Sequence, residues 1–188
     1  MSCELLVLYY SRHGSTQSLA RQIARGIESI DGCQATLRTV AELDPETPAK
    51  EAVVSLDDLT RCDGLALGSP VWFGNMAAPL KHFWDQTTPT WVAGGLIDKP
   101  AVVFTSSSSM HGGQESTLHT MMLPLFHHGM MVLGIPYSEP ELHHTQAGGT
   151  PYGASHLAPD RLTHQSDSGQ LAYKLGQRLA KTAKKLKD

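Results

Sequence analysis

Leu5-Leu6-Val7-Leu8-Tyr9-Tyr10 runs directly into Ser11-Arg12-His13-Gly14-Ser15-Thr16, and Leu19, Ile23, Ile27 and Ile30 then recur at helical spacing. An apolar run without alternation describes a strand buried on both faces, as parallel sheets require. The recurrence after it describes an amphipathic helix. A return strand over 35–40 completes a βαβ unit.

The same alternation continues outward. Further strands are expected at 64–68, 101–105 and 130–135. Pro45, Pro48 and mixed acids mark 41–62 as a connection with at most one short helix, near 56–61. Ser69-Pro70 ends the third strand, and Asn75 is read as the cap of a helix running to about 86. The Thr/Pro/Gly-rich stretch 87–98 reads as a loop, and a helix is expected over 113–127. A last helix carries Leu171, Leu175, Leu179 and Leu186; its Lys181, Lys184, Lys185 and Lys187 read as a solvated face. Residues 136–168 read as one long loop, a length that usually serves function or an interface. The expected architecture is α/β: a five-stranded parallel sheet flanked by helices on both faces, one domain over residues 1–188.

Composition narrows the classes. With 40% hydrophobic and 18% charged residues, the chain is neither disordered nor a coiled coil. A net charge of −3 leaves no basic surplus for a phosphate backbone, so no nucleic-acid partner is expected. Cys3, Cys33 and Cys62 form no CxxC pair and are odd in number, which fits a reducing, cytoplasmic compartment. The sequence holds no apolar run of the roughly 18 residues a membrane helix needs, so no span is expected.

In open parallel sheets, ligands bind at the strand C-termini beside the point where strand order reverses. Four segments therefore carry the candidate chemistry. Ser11-Arg12-His13-Gly14-Ser15-Thr16 offers hydroxyls, a glycine and helix N-terminal N–H groups, a phosphate cradle that needs no lysine; a plain serine helix cap is the alternative. Val71-Trp72-Phe73 puts two aromatics on a strand-to-helix turn, where a flat ring system would stack unless the core takes one of them. Trp91 adds a third aromatic in the next loop. Ser106-Ser107-Ser108-Ser109-Met110-His111 is dense in donors for the polar edge of such a ring, or else is a flexible linker.

Other chemistries lack their residues. There is no GxxxxGK for nucleotide hydrolysis, no GxGxxG for a Rossmann dinucleotide and no GxSxG elbow. The first strand ends in Tyr9-Tyr10-Ser11, without the acids a magnesium-binding receiver needs. His127 and His128 diverge, Glu115 and His119 lack the HExxH frame, and His143 and His144 have no cysteine partner, so no metal site is expected.

Five blocks, in order, resemble the WrbA-type NAD(P)H:quinone oxidoreductases nearly end to end: 10–16; Gly68-Ser69-Pro70-Val71-Trp72-Phe73-Gly74-Asn75-Met76 with Asp85-Gln86-Thr87; His111-Gly112-Gly113-Gln114-Glu115; His127-His128-Gly129-Met130; and Gly148-Gly149-Thr150-Pro151-Tyr152-Gly153-Ala154. The resemblance implies a flavodoxin-like fold, noncovalent FMN and a homotetramer built as a dimer of dimers. By position, it implies that 11–16 hold the FMN phosphate, that Val71, Trp72 and Phe73 meet the isoalloxazine, and that Ser106 to His111 border its polar edge. It places His128 beside the flavin, His13 against the nicotinamide nucleotide and Trp91 over the substrate pocket. Where the family often reads Thr-Arg-Phe, this chain has Val71-Trp72-Phe73, without the charge and the hydroxyl. The implied reaction is ping-pong: NADH or NADPH passes a hydride to FMN and leaves, and a quinone takes the same face for two electrons. A one-electron carrier and a flavin-sensing interaction protein are the other classes; the modest −3 charge weighs against a carrier's acidic docking face.

Overall fold

The computed structural model describes residues 2–158 and 160–187. The opening apolar run forms β1 (Cys3–Tyr9), α1 covers Ser15–Glu28 and β2 is Cys33–Thr39. After a connection comes α2 (Leu56–Arg61), whose Ser55 and Asp58 form a reciprocal capping box. There follow β3 (Gly64–Pro70), α3 (Ala78–Asp85), α4 (Thr88–Val92), β4 (Pro100–Ser107) and α5 (Gln114–His127). The chain ends with β5 (Met131–Val132), α6 (Glu141–His144), β6 (Ala154–Leu157) and α7 (Asp167–Lys187).

The strands lie in the order β2-β1-β3-β4-β5, all parallel, with order reversing between β1 and β3. Alternate side chains feed two cores. Leu5, Val7, Tyr9, Val102 and Phe104 pack under α1 and α7, and Leu6, Leu8, Leu65, Leu67 and Val103 pack under the helices of the other face. On the first face α1 and α7 cross backbone to backbone. A Cβ on Gly176 would stand 2.2 Å from the Ile23 carbonyl oxygen, and one on Gly26 would stand 1.9 Å from that of Tyr173. Only glycine allows that approach.

Beyond shifts of one or two residues at strand ends and the one-turn α6 inside the stretch read as loop, three readings change. The fifth strand is not 130–135: β5 keeps only Met131 and Val132 against Pro100 and Ala101, and the chain then leaves the sheet. It returns as β6, which pairs Ala154–Leu157 with Phe104–Ser107, so a strand stands inside the stretch read as loop. Second, Asn75 does not cap the third helix. Its Oδ1 accepts the adjacent Met76 N–H at 2.8 Å, and the helix starts at Ala78 with Pro79 in its first turn. Third, the stretch read as a loop at 87–98 contains α4, and Trp91 lies on it.

Candidate functional site

The crevice where strand order reverses is walled by the segments after β1, β3 and β4. Ser11 Oγ accepts the N–H groups of Gly14 at 3.1 Å and Gln17 at 3.2 Å, which turns the chain from strand into helix. Gly14 occupies the N-cap in the left-handed region, φ 94°, where glycine is unstrained. The N–H groups of Ser15 and Thr16, in the first turn, have no intrahelical acceptor and carry the positive end of the α1 dipole. Thr16 Oγ1 shares a buried 2.8 Å hydrogen bond with Ser106 Oγ, tying this turn to the end of β4. Ser15 Oγ is buried and has no partner among the described residues. A serine cap accounts for Ser11 alone and leaves the Ser15 hydroxyl unexplained.

Ser11, Arg12, His13, Ser15 and Thr16 line one cleft of about 170 Å³ together with Val71, Trp72, Ser106, Ser107 and Ser108. Trp72 is half-buried, edge-on to Tyr10 with ring centres 5.7 Å apart, and the Arg12 guanidinium stands 5.9 Å from its ring centre. Phe73 is fully exposed and holds a positive φ of 52°, a conformation that costs a non-glycine residue about 1 kcal/mol. Phe73 is free of the core, whereas Trp72 packs partly against it while also lining the cleft. The serine-rich segment is partly strand: Ser106 and Ser107 belong to β4, and Ser107 Oγ donates to the Ser109 carbonyl, closing a turn.

The remaining candidates lie outside this cleft. Met110 and His111 line an adjoining cavity with Gln114 and Glu115. Trp91 and His128 line a third, of about 430 Å³, together with Trp84 and Thr87. Trp91 Nε1 donates to the His127 carbonyl at 2.8 Å. His128 is buried edge-on to Trp84, its Nε2 2.9 Å from Thr87 Oγ1; burial first, then the neighbouring His127, hold its pKa below the usual histidine value. Trp84 Nε1 and His128 Nδ1 are buried with no partner among the described residues. Thr87, Trp84 and Gln114 are polar contributors to which sequence reasoning assigned no role. Thr87 and Gln114 stand within the quoted motifs, but only the folded hydrogen-bond network separates them from their neighbours.

A flavodoxin order of strands with an anion-receptive helix turn and an aromatic at its reversal point defines the flavodoxin-like class. Residues 4–140 match the family model described as NADPH-dependent FMN reductase, and the chain belongs to that family. A curated NAD(P)H dehydrogenase (quinone) from Chromohalobacter salexigens is 41% identical, over 97% of this chain and 98% of its own. The flavodoxin, WrbA-like protein from Agrobacterium tumefaciens superposes with a TM-score of 0.74 at 23% identity, over 98% of this chain and 99% of that one. A flavodoxin from the domain Archaea gives 0.67 at 21% identity, over 96% and 99%.

Proposed function

We propose that the whole chain is one FMN-binding domain that uses NADH or NADPH to reduce quinones by two electrons, in ping-pong turnover. The observation that carries this reading is the buried, unpartnered Ser15 hydroxyl at the α1 N-terminus, beside the Thr16–Ser106 bond. That donor set fits the phosphate of FMN: helix N–H groups and hydroxyls neutralise an anion without a lysine. When bound, FMN supplies the hydride acceptor and the two-electron donor of the reaction.

The chain's own residues position, shield and polarise. Ser11, Arg12, His13, Gly14, Ser15 and Thr16 hold the phosphate. Val71, Trp72 and Phe73 flank the ring, and Ser106 to Ser109 face its polar edge, the segment running on through Met110 and His111 into the adjoining cavity. His13 also meets the nicotinamide nucleotide. His128 and Trp91 act from a neighbouring copy, because in one chain their cavity is separate from the cleft. Trp91, Val92, Ile97, Leu123 and Phe126 are exposed on or beside α4 and α5, an apolar surface suited to burial between copies. The assembly is a homotetramer, a dimer of dimers, and the compartment is the cytoplasm. Among the described residues no helix is long and apolar enough to cross a membrane.

The test is an anaerobic spectrum of FMN-loaded, desalted protein before and after NADH or NADPH, followed by benzoquinone. A flavin band that survives desalting, bleaches with nucleotide and returns with quinone is the expected result. Retained flavin that nucleotide leaves oxidised points to a carrier or sensor, and no retained flavin overturns the assignment. Initial rates giving parallel double-reciprocal lines support ping-pong turnover; intersecting lines exclude it.

A further inference from the structure

A cavity of about 530 Å³ opens beside the cleft, between the N-terminus of α5 and the segment 145–157. Gln114, the first residue of α5, forms part of its wall and is only 6% exposed. Its Nε2 donates to the Ser109 carbonyl at 3.1 Å, which fixes the orientation of the amide. Its Oε1 is buried and has no partner among the described residues. A buried acceptor left this way is costly unless a ligand donor meets it. Glu115, exposed on the next position, adds a carboxylate, and among the described residues no lysine or arginine lines the cavity. The opposite wall is built tightly: Gly148 has φ 110°, and a Cβ there would stand 2.6 Å from the Ser155 carbonyl oxygen. Met110 and Leu157 supply apolar surface.

We infer that this cavity receives the adenosine half of the nicotinamide dinucleotide, its ribose hydroxyls donating to Gln114 Oε1 and the Glu115 carboxylate, and that it thereby selects NADH over NADPH. The inference rests on the proposed oxidation of a nicotinamide dinucleotide. Ser106 to Ser108 line the cleft proposed for FMN while Met110 and His111 line the cavity, so one segment borders both, and a dinucleotide whose nicotinamide lies over the flavin can reach the cavity through its flexible diphosphate. A ribose with both hydroxyls free brings the donors these acceptors lack, as an acidic residue provides for the ribose in dinucleotide folds. A 2′-phosphate brings acceptors and negative charge against Glu115, with His111 but no lysine or arginine among the described lining residues to offset them.

The experiment is calorimetric titration of the FMN-loaded, full-length protein with ADP-ribose and with 2′-phospho-ADP-ribose, run beside NADH–benzoquinone turnover. ADP-ribose is expected to bind at least about tenfold more tightly than its phosphorylated form, and Gln114→Leu is expected to weaken it about tenfold. The exposed Glu115→Lys, which leaves the core untouched, is expected to reverse the preference while flavin retention and melting temperature stay unchanged. Equal wild-type affinities, or a Gln114→Leu protein that binds ADP-ribose as before, overturn the inference. NADH turnover without ADP-ribose binding removes this cavity and leaves the oxidoreductase assignment standing. Binding that depends on Gln114, without turnover, supports the cavity and removes the assignment.

Discussion

His128 Nε2 stands 2.9 Å from Thr87 Oγ1, and the single proton of that hydroxyl is committed to the Trp84 carbonyl at 2.8 Å. The hydroxyl must therefore accept from His128, which assigns the proton of the neutral ring to Nε2 and leaves Nδ1 a bare acceptor. Because burial keeps the ring neutral, that acceptor persists through neutral pH. In the proposed function, Nδ1 would be the ring atom free to accept a hydrogen bond from a hydroxyl of the reduced quinone.

Removing the hydroxyl tests that arrangement. Thr87→Val should mix the His128 tautomers, seen as a change in its ring-nitrogen shifts by NMR, and lower quinone turnover about fivefold, the value of one hydrogen bond of about 1 kcal/mol. His128→Ala should lower turnover further, with FMN affinity less affected. Unchanged turnover at saturating FMN in both variants takes His128 out of the site.

Ser15→Ala separates a ligand contact from a structural one. With its hydroxyl buried and unpartnered, the apoprotein should lose no stability, while FMN binding weakens about tenfold for one hydrogen bond to a charged group. Fluorescence titration with FMN and urea melts of the apoprotein measure the two quantities; a destabilised apoprotein with unchanged FMN affinity contradicts the phosphate-loop role.

At the α1–α7 crossing, Gly176→Ala places a Cβ 2.2 Å from a backbone oxygen that has no flexible side chain to move. The helices must separate, and the expected loss is about 3 kcal/mol, at the upper end for overpacking. A urea midpoint unchanged from wild type would falsify the close crossing.

Acid should weaken the fold through His156 before the carboxylates titrate. Its Nε2 donates to the Asp160 carbonyl and its Nδ1 accepts from Ser168 Oγ, each at 3.0 Å, so the neutral ring is fully satisfied. Burial lowers its pKa, against the opposing pull of Asp160. Below about pH 6.5 the unfolded chain takes up the proton first, so stability falls with pH until the folded pKa is passed and then levels off. Melting temperatures of the apoprotein between pH 8 and pH 5 should show this decline, with His156→Gln reducing the slope; an identical slope in the variant rules His156 out as its source.

What could be read from the chain depended on range. Leu5 to Tyr10 and Leu171, Leu175 and Leu179 of α7 announce themselves because burial there follows local periodicity, whereas Leu186, at the helix's end, is exposed. Ala154-Ser155-His156-Leu157 does not: Ser155 and His156 are polar yet buried, since Ser155 accepts the Gly149 N–H and His156 bonds Ser168. The five-residue α4, with proline in its first turn, has too few residues to display a period. The 11–16 turn was legible because glycine and hydroxyl chemistry act within a few residues. Gln114 was not, because its free oxygen is defined only once Ser109 has taken the other end of the amide.

The divided fifth strand also governs how this molecule can meet copies of itself. An intact terminal strand would present a row of unpaired backbone groups to any passing chain. Here that border consists of a two-residue and a four-residue piece on either side of an excursion, while the opposite border, β2, is partly covered where Thr39 bridges Val53. Backbone templating from chain to chain is blunted at both margins, which protects against fibrous aggregation and leaves self-association to side chains on the helices.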